Sequence, residues 1–150
     1  MRVRLTALAL ALASLPACVN DEGNESFVAT LTGAAERPTP VTTAASGSAI
    51  LTLTSIGSMN FQVSATGLSG PATMAHIHGP GDANAVVGII HTFAVLSGTG
   101  VVSTGSFGAP SNAGVSMDSL MVLLRAGLAY VNVHTAANVD GEIRGQLSPQ

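Results

Sequence analysis

Charged residues are scarce in this sequence, and lysine is missing altogether. Asp, Glu, Lys and Arg make up 9% of the 150 residues, whereas soluble domains usually carry about 25%. The 5 basic residues are all arginines, and the formal net charge at pH 7 is −3. Since a nucleic-acid-binding domain needs a basic surface, we expect no nucleic-acid partner.

Cysteine is present only as Cys18, so no disulfide can form within the chain. The sequence also lacks a serine nucleophile elbow, a phosphate-binding loop and a cysteine–histidine pair, which excludes most hydrolase and kinase classes. The length suits one domain with a hydrophobic core and is too short for two of ordinary size.

The first 17 residues have the order of an export signal. Arg2 and Arg4 precede an apolar run over residues 5–15, and small residues follow. The apolar run is too short to cross a bilayer as a helix. We therefore predict a signal peptide at residues 1–17.

The end of this leader, residues 15–18 (LPAC), resembles the lipobox of bacterial lipoproteins. That resemblance implies cleavage before Cys18 and a lipid anchor on Cys18, with residues 18–26 as a flexible polar tether. The protein would then be attached to a membrane through this lipid anchor. Val19 stands where an Asp would favour the inner membrane, so we expect a cell-envelope protein on the outer membrane, facing the periplasm or the cell surface. The alternative is an ordinary cleaved signal that leaves a free thiol.

Beyond the tether, short segments alternate apolar and polar residues between Gly- and Pro-containing turns, which is typical of strands. The predicted strands cover 27–32, 47–54, 59–66, 73–80, 86–95, 99–106, 128–135 and 142–147. The almost continuously apolar run at 86–95 predicts a strand buried on both faces. Ser116 as N-cap, leucines at helical spacing and Gly127 as a stop predict one short helix at 117–126. We expect a mainly all-β fold, an antiparallel Greek-key-like β-sandwich or barrel with this helix inserted.

Several blocks of this region resemble the CHRD domain, a family named after chordin. The blocks occur in the family's order: 31–38 (LTGAAERP), 45–47 (ASG), 75–79 (AHIHG), 124–127 (LRAG), 130–135 (YVNVHT) and 141–147 (GEIRGQL). The resemblance spans the predicted domain at residues 27–148. It implies an extracytoplasmic β-sandwich-like module, and we expect a binding or structural role rather than an enzymatic one.

The histidines are the most informative polar residues. His76 and His78 alternate on one predicted strand, so their side chains leave the same face. His134 and His91 lie on other predicted strands and would complete a site if those strands were neighbours. Four imidazoles suit Cu(II), and three with an open position suit Zn(II). We therefore predict a metal site at His76, His78 and His134, with His91 as a candidate fourth ligand and copper preferred to zinc.

The order of the histidines also resembles the copper ligands of copper–zinc superoxide dismutases. The zinc-loop ligands and the disulfide of those enzymes are missing here, so the resemblance is partial. A copper- or zinc-dependent envelope enzyme is the alternative to a binding module. A purely structural role, with each imidazole bonded to loop backbone, stays open as well.

Two further groups of polar residues share a strand face by their spacing. Glu142 and Arg144 alternate on the last predicted strand, and we expect an ion pair rather than a catalytic acid. Tyr130, Asn132 and His134 also alternate, which predicts a polar patch or a hydrogen-bonded belt.

Overall fold

The computed structural model of the protein describes residues 24–96, 100–112 and 114–150. The predicted signal peptide and Cys18 lie outside the described residues. The described residues form strands and a single α-helix, which are β1 (Glu25–Thr32), β2 (Ser46–Leu53), β3 (Met59–Thr66), β4 (Ala72–His78), β5 (Ile89–Thr92), β6 (Gly100–Phe107), α1 (Met117–Arg125), β7 (Tyr130–Thr135), β8 (Ile143–Gln146) and β9 (Ser148–Pro149). A 3-10 turn at Gly33–Ala35 follows β1.

The strands form one antiparallel sheet that curls into a half-barrel. Their order is β5-β4-β7-β8-β1-β2-β3-β6, and β9 pairs with β1. The mainly all-β, antiparallel fold with one short helix is thus confirmed. Strands β4, β7 and β8, which lie side by side, carry most of the polar residues that the sequence singled out, while His91 lies on β5 and Glu142 just before β8.

Side chains alternate between the two faces of each strand, and the hydrophobic core lies on the concave face of the curled sheet. In β1 the side chains of Phe27, Ala29 and Leu31 are buried, while Val28 and Thr30 between them are not fully covered. Branched and aromatic side chains at every second position bury one face of a strand and leave the other to solvent. The predicted strand at 59–66 coincides with β3.

The helix forms where capping signals predicted it. The Ser116 side chain accepts a hydrogen bond from the Ser119 amide, and Asp118 lies in the first turn. Gly127 follows the helix with a φ of 65°, a conformation that glycine adopts without steric cost. Leu120, Met121 and Leu124 point to the core, which gives the helix its buried side. None of the helices in the described residues has the length and hydropathy to cross a bilayer.

Two strand predictions need correction. The apolar run at 86–95 forms only the four-residue strand β5, and Val86 is 63% exposed, so it is not a strand buried on both faces. The first strand begins at Glu25, earlier than the predicted tether allowed. The strand that is covered on both faces is β7, whose six residues are all buried.

Candidate metal centre

Strands β4 and β7 bring three of the four histidines together. In the antiparallel register His76 pairs with Asn132 and His78 with Tyr130, while His134 lies two pairs further along, opposite Met74. Residues two apart on a strand share a face, so all three imidazoles lie on one side of the sheet. One ring nitrogen from each lies within 4.8 Å of the other two.

His91 does not join this cluster. It pairs with Ile77 on β4, and Ile77 faces the core, away from His76 and His78. The His91 ring stacks on Phe107 with centroids 3.9 Å apart, and its Nδ1 accepts a hydrogen bond from the Ser111 amide at 3.1 Å. The predicted fourth ligand therefore lies on the opposite face, because strand parity directs its side chain there.

Main-chain carbonyls fix the proton on two of the three rings. His78 Nδ1 lies 2.8 Å from the Val87 carbonyl oxygen, and His134 Nδ1 lies 2.9 Å from that of Val139. A carbonyl only accepts, so each Nδ1 carries the hydrogen and donates it. In the neutral ring the Nε2 atoms of His78 and His134 then present lone pairs to the interior of the site.

Asn132 is the fourth polar group in this interior, and the sequence analysis did not assign it a role at the metal. Its Oδ1 lies 3.1 Å from His78 Nε2 and 3.1 Å from His134 Nε2. An amide oxygen cannot donate to either lone pair. A turned amide group, whose NH2 donates to both rings, would satisfy these acceptors, and so would a cation shared by the nitrogens and the amide oxygen. His134 Nε2 also has His76 Nδ1 as a neighbour at 3.1 Å.

Burial keeps the three imidazoles in the neutral form that binds metal. It lowers the pKa of His76 to about 4, assisted by repulsion from charge on His134 and His78. Burial also lowers the pKa values of His78 and His134. At neutral pH the ring nitrogens that face one another are therefore free of extra protons.

One pair of ring nitrogens has the separation expected at a tetrahedral ion, while the set of three lies within 4.8 Å. Two imidazole nitrogens bonded at about 2.0–2.1 Å to one tetrahedral ion lie about 3.3 Å apart. His76 Nδ1 and His134 Nε2 are 3.1 Å apart. Without metal, His76 Nδ1–H can donate to His134 Nε2; with metal, the His76 proton moves to its other ring nitrogen.

Tyr130 and Arg144 support the ring of His78. Tyr130 stacks against it with an interplanar angle of 2° and centroids 4.8 Å apart. The Arg144 guanidinium lies 3.5 Å from the centroid of the Tyr130 ring, and its Nη2 donates to the Asp82 carbonyl at 3.1 Å. This layered contact limits rotation of His78. The contact of Asn132 Oδ1 with His134 Nε2 and the hydrogen bond from the Val87 amide to the Tyr130 hydroxyl agree with the predicted hydrogen-bonded belt.

Glu142 does not form the ion pair expected from the sequence. Its carboxylate accepts hydrogen bonds from the hydroxyls of Thr43, Ser69 and Thr135 and from the Ser69 amide, at 2.6–2.9 Å. Arg144, two residues later in β8, contacts Tyr130 instead. Hydroxyl groups from three separate segments thus replace the arginine as partners of the carboxylate.

The chain was compared with protein-family models, curated proteins and solved structures. Residues 27–147 match the model of the CHRD domain. No curated protein and no solved structure matches the chain. The match covers the described sheet from β1 to the end of β8 and includes all the histidines. The chain therefore belongs to the CHRD domain family.

Proposed function

We propose that this CHRD domain is a binding module that holds one transition-metal ion through His76, His78 and His134. The observation that carries the proposal is the convergence of one nitrogen from each ring to within 4.8 Å. The proton positions support it, because the Nδ1 hydrogens of His78 and His134 point outward to main-chain carbonyls. Ligating histidines usually donate their second nitrogen in this way.

Imidazole donors favour copper and zinc over the harder cations. Cu(II) binds a given nitrogen site more tightly than Zn(II) does, so copper is the preferred ion in this proposal. The Asn132 oxygen, or a water molecule, would occupy the remaining coordination position. Neither ion requires a change in strand register, because the three nitrogens lie within 4.8 Å of one another and small side-chain movements bring them to one ion.

The surroundings of the site favour binding over catalysis. A catalytic metal site usually has a carboxylate that polarises a ligating histidine. Here the Nδ1 atoms of His78 and His134 donate to main-chain carbonyl oxygens. The Asp82 side chain accepts from the amides of Asn84 and Ala85, and Glu142 is held by hydroxyls. We therefore place the binding module ahead of a copper- or zinc-dependent enzyme.

Titration of the metal-free full chain tests the proposal. We expect one equivalent of Cu(II), and more weakly one of Zn(II), to bind and to raise the melting temperature, because a ligand that binds only the folded state stabilises it. Calorimetry would give the stoichiometry, and thermal unfolding followed by circular dichroism would give the shift. Binding without a defined stoichiometry, together with an unchanged melting temperature, would contradict the proposal.

We further propose that the domain is held at the cell envelope, on the outer membrane, by lipid on Cys18. The support is the leader at residues 1–17 and the LPAC sequence before its cleavage point. Several acyl chains on one residue anchor a protein without a transmembrane helix.

Mass spectrometry of the protein expressed in a bacterium with lipoprotein processing tests this anchor. We expect a chain that begins at Cys18 and carries acyl mass on it. The Cys18→Ala variant should lose both the acyl mass and the membrane association while its domain keeps the same circular dichroism spectrum. Recovery of unmodified parent protein in the soluble fraction would exclude the anchor.

A further inference from the structure

A polar pocket separate from the metal centre lies between residues 36–41 and the turn at residues 137–141. It has a volume of about 320 Å3. Pro38, Pro40 and Val139 supply apolar walls, and Glu36 contributes a carboxylate. The proposed metal centre does not use these side chains, so the inference below does not depend on metal binding.

Glu36 is buried with an unsatisfied oxygen. The residue is 3% exposed, and its Oε1 has no hydrogen-bond partner among the described residues. A buried carboxylate oxygen without a partner is costly, since it loses its water without gaining a donor. Native proteins keep such groups rarely, and a ligand is one physical reason for keeping one.

Gly141 lets the carboxylate occupy this position. A Cβ added at Gly141 would lie 2.6 Å from Glu36 Oε1 and 2.8 Å from Cδ. The φ of Gly141 is 128°, which side-chain-bearing residues rarely adopt. The turn between β7 and β8 is thus shaped around the Glu36 carboxyl group.

The charged groups around Glu36 leave that oxygen without a partner. Arg37, the next residue, directs Nη1 to the carbonyl oxygens of Ala34 and Glu36. Arg144 on β8 acts on Glu36 through its charge, and Asp140 on the turn adds a second acid to the pocket lining. Burial raises the pKa of Glu36 to about 7, although the two arginines oppose the shift.

We propose that this pocket binds an alkylammonium group, such as the lysine side chain of a peptide, with its nitrogen at the Glu36 carboxylate. An ammonium group supplies both the missing hydrogen-bond donor and a compensating charge. The proline and valine walls suit the methylene chain of a lysine, which packs on apolar surface while its charged end finds a polar partner. Two carboxylates, Glu36 and Asp140, against the one lining arginine, Arg37, disfavour an anion. A divalent metal ion would need several more oxygen ligands than these two side chains supply.

The test titrates the chelator-treated full chain, labelled with 15N, with Nα-acetyl-lysine methylamide at pH 8. We expect saturable chemical-shift changes at the Gly141 and Val139 amides. The norleucine analogue, which has the same methylene chain without the ammonium group, should cause none. In Glu36→Gln, which keeps the shape and removes the charge, the affinity should fall at least tenfold.

A second measurement on the parent protein avoids dependence on the variant. With a Glu36 pKa of about 7, roughly one carboxyl in eleven is ionised at pH 6 and ten in eleven at pH 8. The lysine ammonium stays charged across this range. The affinity should therefore rise about tenfold from pH 6 to pH 8. Shifts that do not saturate, equal binding of the norleucine analogue, unchanged affinity in Glu36→Gln, or competition by Ca2+ at equimolar concentration would each overturn the proposal.

Discussion

The His76→Ala, His78→Ala double variant should bind Cu(II) at least about 1,000-fold more weakly than the parent protein. Loss of an outer-shell partner of a metal ligand typically costs about 10–100-fold in affinity. Removal of two ligands directly should exceed that range. One remaining imidazole, His134, cannot hold an ion against solvent, so the stoichiometric phase of a calorimetric titration should vanish.

His91→Ala is the matched control for this loss. It also removes an imidazole from a neighbouring strand, but from the face that packs on Phe107. We expect this variant to keep the stoichiometry and the affinity of the parent for Cu(II), although its melting temperature without metal should fall as the aromatic contact is lost. Equal binding by parent and double variant, or loss of binding in His91→Ala alone, would refute the assignment of the three ligands.

The strands and the helix were predictable where local sequence decides the structure. Met59–Thr66 alternates cleanly and is bounded by turn residues, and Ser116 and Gly127 mark the ends of the helix. The run at 86–95 was misleading because apolar composition alone cannot distinguish a buried strand from an apolar loop. In strand β7 the spacing of the polar residues predicted a polar patch or a hydrogen-bonded belt, but it did not predict that all six residues of the strand are buried. That burial depends on loop carbonyls and neighbouring side chains that cover them.

The candidate site was predictable only as far as strand periodicity reaches. Alternation places His76 and His78 on one face from the sequence alone. The addition of His134 and the exclusion of His91 depend on which strands pair and in which register, and both are long-range properties. The carbonyls of Val87 and Val139, which fix the ring protons, belong to the backbone of loops and leave no signal in residue identity.

Glu142→Leu should lower the free energy of unfolding by about 3 kcal/mol, since it removes the acceptor shared by several donors. The carboxylate joins Thr43 on the segment before β2, Ser69 on the loop after β3 and Thr135 at the end of β7. Glu142 itself is fully buried. Hydrogen bonds to a charged group stabilise a protein more than neutral ones, which makes the loss large. The loss stays limited because the hydroxyls of Ser69 and Thr43 can bond to water when the carboxylate is gone.

Glu142→Gln is the isosteric control, and we expect it to lose only about 1 kcal/mol, because its amide oxygen still accepts and the nearby hydroxyls can rotate to accept from its NH2. Urea denaturation at pH 7 measures the free energy of unfolding of the parent, of Glu142→Gln and of Glu142→Leu. A Leu variant as stable as the parent would show that the carboxylate does not stabilise the junction of these segments.

Lowering the pH tests how much of the stabilisation by Glu142 depends on the charge of its carboxylate. Burial alone would raise the pKa of Glu142, but the hydrogen bonds from Ser69, Thr135 and Thr43 outweigh it and lower the pKa from 4.5 to about 2. The unfolded chain therefore binds this proton more readily than the folded one, and the stabilisation is lost as the pH falls from about 4.5 towards 2. The stability gap between the parent and Glu142→Gln should narrow over that interval. The histidines and Glu36 titrate in both proteins, so their contributions cancel when the pH dependence of the unfolding free energy of Glu142→Gln is subtracted from that of the parent. A difference in unfolding free energy that stays constant with pH would mean that the hydrogen bonds do not depend on the charge of Glu142.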